Sequence, residues 1–264
     1  MRLAEALDTP TGVSLDVLRD SAELLRRVDR KYVLPTAAAS DLVQRIAADS
    51  QVLEIGDARS FEYRTVYFDL PELPCYLATA RRRRKRFKVR LRRYVGSGLT
   101  FLEVKTRGRR GVTQKDRVEV SAELMETDRL PTWAAQYAQE IIHMRLGETS
   151  SLQGLTAELY TSYRRSTLLL PSSERLTIDE NLTVNHPGAP GVQLASQVVV
   201  ETKSAGHRSC LGTLLWRSGQ RPARISKYAT GMALLDPTLP HNRWVHTMNR
   251  LNLQSAPNKE KSLI

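Results

Sequence analysis

One strand constrains this chain more than any other segment. In Lys88-Val89-Arg90-Leu91-Arg92, cations alternate with apolar residues. Successive side chains on a strand point to opposite faces, so Lys88, Arg90 and Arg92 share one face while Val89 and Leu91 share the other. Three aligned cations repel one another unless something anionic lies against them. The same alternation returns in Glu103-Val104-Lys105-Thr106-Arg107 and in Glu201-Thr202-Lys203. Several strands therefore aim charge at a shared interior, which suits a polyphosphate better than a sugar or an apolar ligand.

The bulk properties agree with an anionic partner. The 264 residues are 41% hydrophobic and 26% charged, which reads as a folded chain with a real core rather than a disordered one. The net charge of +12 favours nucleotides, polyphosphate, RNA or a membrane surface. No apolar run approaches the roughly 20 residues that span a bilayer. The start, Met1-Arg2-Leu3-Ala4-Glu5, lacks the apolar core of a secretory signal. Cys75 and Cys210 are too few for a disulfide framework or a thiolate zinc site, so the expected compartment is a reducing cytoplasm.

Hydrophobic spacing predicts a helix from Ser14 to Val28, a short strand over 29–34 ended by Pro35, and a helix begun at Thr36 with Leu42, Val43 and Ile46 inward. Residues 61–69 read as a strand and 71–80 as a short helix or turn. Three strands follow at 86–95, 99–107 and 112–120, joined by Gly96-Ser97-Gly98 and Gly108-Arg109-Arg110-Gly111. A helical stretch spans 121–146, and strands return at 155–170, 174–184 and 193–203. Two short helices, 209–217 and 226–235, complete the pattern. The tail beyond Pro240 is expected to be loosely ordered, and Asn258 to Lys261 disordered. With no repeat or linker, the expected organisation is an N-terminal helix (1–28) packed on one domain (29–240), with a tail (241–264). About eight antiparallel strands with inward charge suggest a closed barrel around a ligand channel, an α+β fold with flanking helices.

Each charged cluster has a plainer alternative. The run Arg81-Arg82-Arg83-Arg84-Lys85-Arg86 reads equally as a solvated face or a basic arm touching nucleic acid. Glu103 and Lys105 share a strand face, as in a surface cross-strand ion pair of little worth. Glu201 and Lys203 follow the apolar run Val198-Val199-Val200, which favours a cavity wall over bulk water. A polyphosphate site needs both signs, cations for phosphate oxygens and carboxylates for Mg²⁺ or Mn²⁺. Asp179, in phase with Arg175 and Thr177, is a candidate metal ligand or a strand-end turn residue. In Tyr163-Arg164-Arg165 either arginine could face inward. The five histidines show no zinc spacing and no catalytic order, and His207 reads as a loop residue. No Gly-rich nucleotide loop is present.

Taken in order, these pieces resemble the VTC domain, the polyphosphate-polymerase branch of the triphosphate tunnel metalloenzymes (CYTH-like superfamily). The resemblance runs from about Asp29 to Leu235. It rests on Arg30-Lys31-Tyr32, Thr65-Val66-Tyr67-Phe68-Asp69, Lys88 to Tyr94, Phe101 to Thr106 and Gln114-Lys115-Asp116-Arg117. Tyr163-Arg164, Arg175 to Asp179, Val200 to Lys203 and Arg224-Ile225-Ser226-Lys227-Tyr228 complete it. It implies an eight-stranded antiparallel β-barrel tunnel, the triphosphate tunnel fold, binding a triphosphate or polyphosphate with Mn²⁺ or Mg²⁺. By matching position, Lys31, Arg90, Arg92, Lys105, Lys115, Arg164, Arg175, Lys203, Arg224 and Lys227 would grip phosphates and Ser226 would add a hydrogen bond. Glu201 would be the principal metal ligand, with Glu103 and Asp179 supporting the metal or its waters. Lys31, Arg90, Arg92, Lys105 and Glu201 would form the catalytic set, with Arg81 a weaker match at the mouth.

The superfamily often opens with a Glu-x-Glu-x-Lys strand, and Lys31 stands without those carboxylates, which favours the VTC branch. Eukaryotic polymerases of this type carry an SPX domain and transmembrane helices. This sequence shows neither, so coupling to a membrane would need a separate membrane partner. The implied reaction is polyphosphate synthesis from ATP or another nucleoside triphosphate. The alternatives are a tripolyphosphatase on the same fold and a non-catalytic polyphosphate-binding module. An RNA-binding reading ranks lower, because only Phe87 and Tyr94 stand near the basic run for base stacking.

Overall fold

The computed structural model describes residues 2–20, 28–108, 111–171, 173–206 and 209–257. Part of the expected Ser14–Val28 helix (21–27), the turn residues Arg109 and Arg110, His207, and 258–261 of the tail lie outside the described residues. The strands, in chain order, are β1 (Thr11–Val13), β2 (Val28–Pro35), β3 (Gln51–Leu53), β4 (Phe61–Asp69), β5 (Arg86–Tyr94) and β6 (Thr100–Arg107). Then follow β7 (Thr113–Val120), β8 (Thr156–Leu169), β9 (Arg175–Asn185), β10 (Gly191–Leu194), β11 (Gln197–Ser204) and β12 (Leu253–Ser255). All join one sheet. Its antiparallel spine runs β2-β11-β9-β8-β4-β5-β6-β7.

Alternation makes this sheet two-faced. On β5 and β6, Val89, Leu91, Leu102 and Val104 are fully buried against the Thr132–Leu146 helix through Ala134, Ala135, Ala138 and Ile142. At the other end of the spine, Leu34, Leu176, Ile178, Val198 and Val200 pack on the Thr36–Ile46 and Cys210–Arg217 helices. With one face sealed by helices, the residues of the other phase are left for the opposite, concave face. That face carries the charge.

The expected closed barrel is not formed by backbone pairing: among the described residues, β2 and β7 are not hydrogen-bonded to each other. The edge of β2 is used differently. The Lys31 carbonyl accepts from the Ala223 amide at 2.7 Å, so a non-strand segment lies along β2 where a closing strand would pair. The segment leads into the Lys227–Leu235 helix, which enters the concave face over β8 and β9. Gly231 permits that approach, since a Cβ there would stand 2.8 Å from Leu159 Cδ2 and 3.2 Å from Val184 Cγ1.

Several other elements differ from expectation. The single helix over 121–146 is a 3-10 turn (Ala122–Glu126) and a separate helix beginning at Thr132. Pro131 supplies no amide, and the chain before it pairs with the start of β8 through Ala157 N–H to Asp128 O and Leu130 N–H to Leu155 O. The 193–203 strand is divided into β10 and β11 at Ser196, whose φ is 55°. The two halves pair with different stretches of β9. Val28, expected to end a helix, begins β2. The parallel β1–β3 pair had no recognised signal. Residues 241–257, expected to be loosely ordered, bury Trp244 in the core and pair β12 with β10. No helix among the described residues is long and apolar enough to cross a membrane.

Gly231→Val should overpack the seam between the Lys227–Leu235 helix and β8/β9 and cost about 1–3 kcal/mol in urea unfolding. An unchanged midpoint would show that the helix has room to retreat.

Candidate functional site

Cross-strand register brings the expected residues together on the concave face. Lys31 stands opposite Glu201, Arg90 opposite Glu103 and Tyr67, and Lys88 opposite Lys105, which is in turn opposite Lys115. Asp179 lies between Arg165 and Val199. Carboxylate and cation therefore meet mainly across strands, with Lys203 beside Glu201 on the same strand.

Glu103 is fully enclosed. Arg90 donates to its Oε2 through Nε (2.7 Å) and Nη2 (2.5 Å), Lys115 Nζ donates to Oε1 at 3.4 Å, and Arg92 Nη1 lies 3.9 Å away. Burial pushes this carboxyl up, but Arg90, Arg92 and Lys115 outweigh it and hold the group well below the usual carboxylate range. Asp179, 2% exposed, receives a fork from Arg165 (Nε to Oδ1 2.6 Å, Nη2 to Oδ2 2.8 Å) and a further hydrogen bond from Lys227. Burial again opposes, and Arg165 and Lys227 bring it down to about 2. Glu201 accepts from Lys31 Nζ at 2.5 Å and has Lys203 Nζ at 3.6 Å. Against the upward push of burial, these two lysines keep it below the ordinary range.

Every carboxylate is thus outnumbered, and the surplus falls on Lys88 and Lys105. Among the described residues, neither has a carboxylate within salt-bridge distance. Lys88 Nζ donates to Ser226 Oγ at 2.7 Å and lies 5.8 Å from the Tyr228 ring centroid. Loss of hydration, then repulsion from Lys105, Arg90 and Lys31, pulls its pKa to about 7. Lys105 is solvent-exposed, yet the protein around it still weakens its hydration. That loss, with repulsion from Arg90 and Lys31, brings it to about 8.

Helix caps and stacked rings fix the rest. Ser226 caps the Lys227–Leu235 helix by accepting from the Ala229 amide at 3.2 Å. Asp69 anchors that helix, accepting from the Tyr228 hydroxyl at 2.6 Å and from the Cys75 and Tyr76 amides. One end of the face is aromatic. Tyr63 stacks on Tyr163 (5.3 Å, 3°) and meets Tyr94, with Arg92 and Arg165 beside its ring and Lys227 Nζ 4.2 Å over Tyr163.

Three expected phosphate ligands stand elsewhere. Arg164 points away, exposed and donating to the Ser60 carbonyl, while Arg165 takes the inward place because it is in phase with Tyr163. Arg175 is beside Lys203 in register, but its guanidinium donates to the Leu18 carbonyl. Arg224 lines a cavity among other arginines, beyond the Lys88–Lys105 pair. Arg81 is exposed after the Pro74–Ala80 helix. Lys88 and Arg165, which strand phase offered but the resemblance did not carry over, stand on this face. Alternation in Lys88-Val89-Arg90 signals the first directly. The second needed the phase of β8.

The resemblance implies a divalent cation, and the donor set allows one kind of site. Among the described residues no three acidic, His or Cys side chains stand together as a cage. Glu103 and Asp179 spend their oxygens on guanidinium and ammonium groups, which revises the expectation that they support a metal. Glu201, whose side chain is 14% exposed, is the accessible carboxylate. A hydrated Mg²⁺ or Mn²⁺ bound by one carboxylate plus substrate phosphates fits that arrangement.

Lys88 makes a pH-dependent prediction. Its folded pKa lies below that of an exposed lysine, so the unfolded chain binds the extra proton and stability rises from about pH 7 towards 10.5. Lys88→Met should therefore stabilise the fold by on the order of 1 kcal/mol below pH 7, with the gain fading as pH rises. Thermal unfolding at pH 6.5 and 9 measures it, and a pH-independent difference would show that Lys88 is not a strained cation.

The family model of the VTC domain matches residues 26–236. No curated protein matches the chain. Among solved structures, the chain is similar to a protein from Hippeastrum assigned as an adenylyl cyclase and described as having a dominant triphosphatase activity. The identity is 14%, over 82% of this chain and 99% of that one, with a TM-score of 0.50. A candidate adenylate cyclase from Vibrio parahaemolyticus is 12% identical over 79% of this chain and 98% of that one, with a TM-score of 0.45. At such identity the likeness is one of fold, and the first structure agrees with the antiparallel sheet and its flanking helices. Motif order, sheet and matched span converge: the chain belongs to the VTC domain family.

Proposed function

We propose that this chain is a metal-dependent phosphotransferase that acts on a nucleoside triphosphate in its cationic channel and builds polyphosphate from ATP. The observation carrying the reading is the charge arrangement of the concave face. Glu103, Asp179 and Glu201 each hold two or more cations, and Lys88 and Lys105 remain without a carboxylate partner. Such a wall lowers its own energy by admitting a polyanion. Membership in the VTC family supports transfer to a phosphate chain over transfer to water.

In this reading Lys31, Arg90, Arg92 and Lys105 bind the triphosphate, aided by Lys115, Lys203, Lys227 and the Lys88–Ser226 pair. Glu103 and Asp179 lock the guanidiniums of Arg90 and Arg165 in place, so the phosphates meet preorganised donors. The terminal oxygen of an acceptor phosphate attacks the γ-phosphorus of ATP. The bond to the β-phosphate oxygen breaks, releasing ADP and a chain longer by one unit. The attacking oxygen is already ionised, so the step requires no general base. Holding donor and acceptor in line against mutual repulsion is the main task of the cations. A bound Mn²⁺ or Mg²⁺ would supply further charge neutralisation on the phosphates, and Glu201 is the residue that would hold it.

The test is incubation with ATP and Mn²⁺ or Mg²⁺, following polyphosphate on a stained gel, ADP and free phosphate together. A ladder of chains with ADP is the expected result. Free phosphate without chains would make the protein a triphosphate hydrolase, and binding without turnover a non-catalytic polyphosphate module. Glu201→Gln should lower turnover by about 100-fold or more. Metal-free tripolyphosphate binding should hold or tighten in that variant, because Lys31 and Lys203 are released. Undiminished turnover would remove Glu201 from the metal role.

A further inference from the structure

The basic run that opens β5 is not a loose arm. After the Pro74–Ala80 helix, Arg82 takes a left-handed backbone (φ 55°), and the Arg82 and Arg83 amides bond to the Thr79 and Ala78 carbonyls. This turn brings Arg82, Arg84 and Arg86 together with Arg107, Arg224 and Arg243 around a cavity of about 340 Å³. Gly108 and Gly111 complete its lining, which among the described residues includes no carboxylate and no aromatic ring. Among the described residues, none of the six arginines joins a salt bridge. Desolvation and the neighbouring Arg107 and Arg243 bring the Arg86 pKa down to about 10. Arg86 and Arg243 donate to the Arg83 and Thr79 carbonyls, and among the described residues no carboxylate pairs with the cluster to offset its repulsion.

The cavity is continuous with the channel wall. Arg86 and Arg107 are cross-strand partners, one step along the same face from the Lys88–Lys105 pair, and Arg224 is two residues before Ser226. The composition changes at that step, from lysines and paired arginines inside to unpaired arginines outside. Guanidinium forks match phosphate oxygens two at a time and cannot lose their charge at neutral pH.

We propose that this arginine vestibule is a second phosphate-binding site, which holds the stretch of a condensed-phosphate chain that extends beyond the channel mouth. The substrate class rests on the function proposed above; the site itself rests on the geometry of the mouth. Through it the protein would keep a long chain bound between successive additions, whereas a triphosphate would be contained by the channel. Single-stranded RNA is the less favoured polyanion, because its recognition uses aromatic platforms and the vestibule presents none.

The test is a binding measurement without nucleotide or turnover, so it stands apart from the polymerase assay. Long-chain polyphosphate and tripolyphosphate are titrated calorimetrically into the wild type and into Arg84→Gln/Arg107→Gln, at several salt concentrations. Both side chains are exposed, and unfolding midpoints check that the double variant is folded; Arg82→Gln/Arg84→Gln serves if it is not. The wild type should bind the long chain more tightly and with the steeper salt dependence. The variant should lose about tenfold in long-chain affinity and flatten that dependence, while tripolyphosphate affinity changes less than about twofold. Equal losses for both ligands, or no loss for the long chain, overturn the proposal. RNA of matched charge binding as tightly as polyphosphate, and lost in the same variant, would make the mouth a general polyanion or RNA groove and also overturn it. A vestibule that behaves as expected in a protein that makes no polyphosphate would refute the proposed reaction alone.

Discussion

The structure depends on a buried carboxylate meeting a guanidinium across strands. Glu103 has no exposed surface, yet it faces three cations. Without it, Arg90 and Arg92 would line a partly closed space as unpaired charges, and several kcal/mol per ion would oppose folding. With it, one anion accounts for two guanidiniums and a lysine, and the surplus is left facing the channel. Asp179 repeats the device with Arg165 and Lys227, and Glu201 with Lys31 and Lys203. The acidic residues make a cationic cavity foldable; the excess cations make it useful.

That division of labour changes how the acidic positions are read. The sequence resemblance made Glu201 the principal metal candidate, with Glu103 and Asp179 in support. Burial separates them. Two are spent on preorganising arginines, which act on phosphate only if their rotamers are held. The third faces lysines alone and keeps part of its side chain exposed.

The segment along β2 performs a comparable service for the backbone. By bonding the Lys31 carbonyl it occupies part of an edge that would otherwise offer unpaired groups. It then delivers Ser226 and Lys227 to the concave face at the start of a helix anchored by Asp69 and Tyr228. The site therefore draws on both ends of the chain's second half, and Trp244 ties the segment after that helix into the same core.

Alternation by itself determined which side of β5, β6 and β11 carries charge, because the two-residue period of a strand admits no other assignment. Lys88, Arg90, Arg92, Glu103, Lys105, Glu201 and Lys203 were legible on that ground, and the ordered motifs pointed to the VTC family. The tertiary structure decided what periodicity cannot reach. The phase of β8 chose Arg165 over Arg164, and the Leu18 carbonyl, in the short Leu15–Asp20 helix, claimed Arg175. Pairing near Pro131 split a helix, and the approach of Ala223 left β2 and β7 unjoined. Each of these turns on which distant segment supplies a hydrogen bond or a countercharge. That is set by packing of the whole chain, so no local window of sequence contains it.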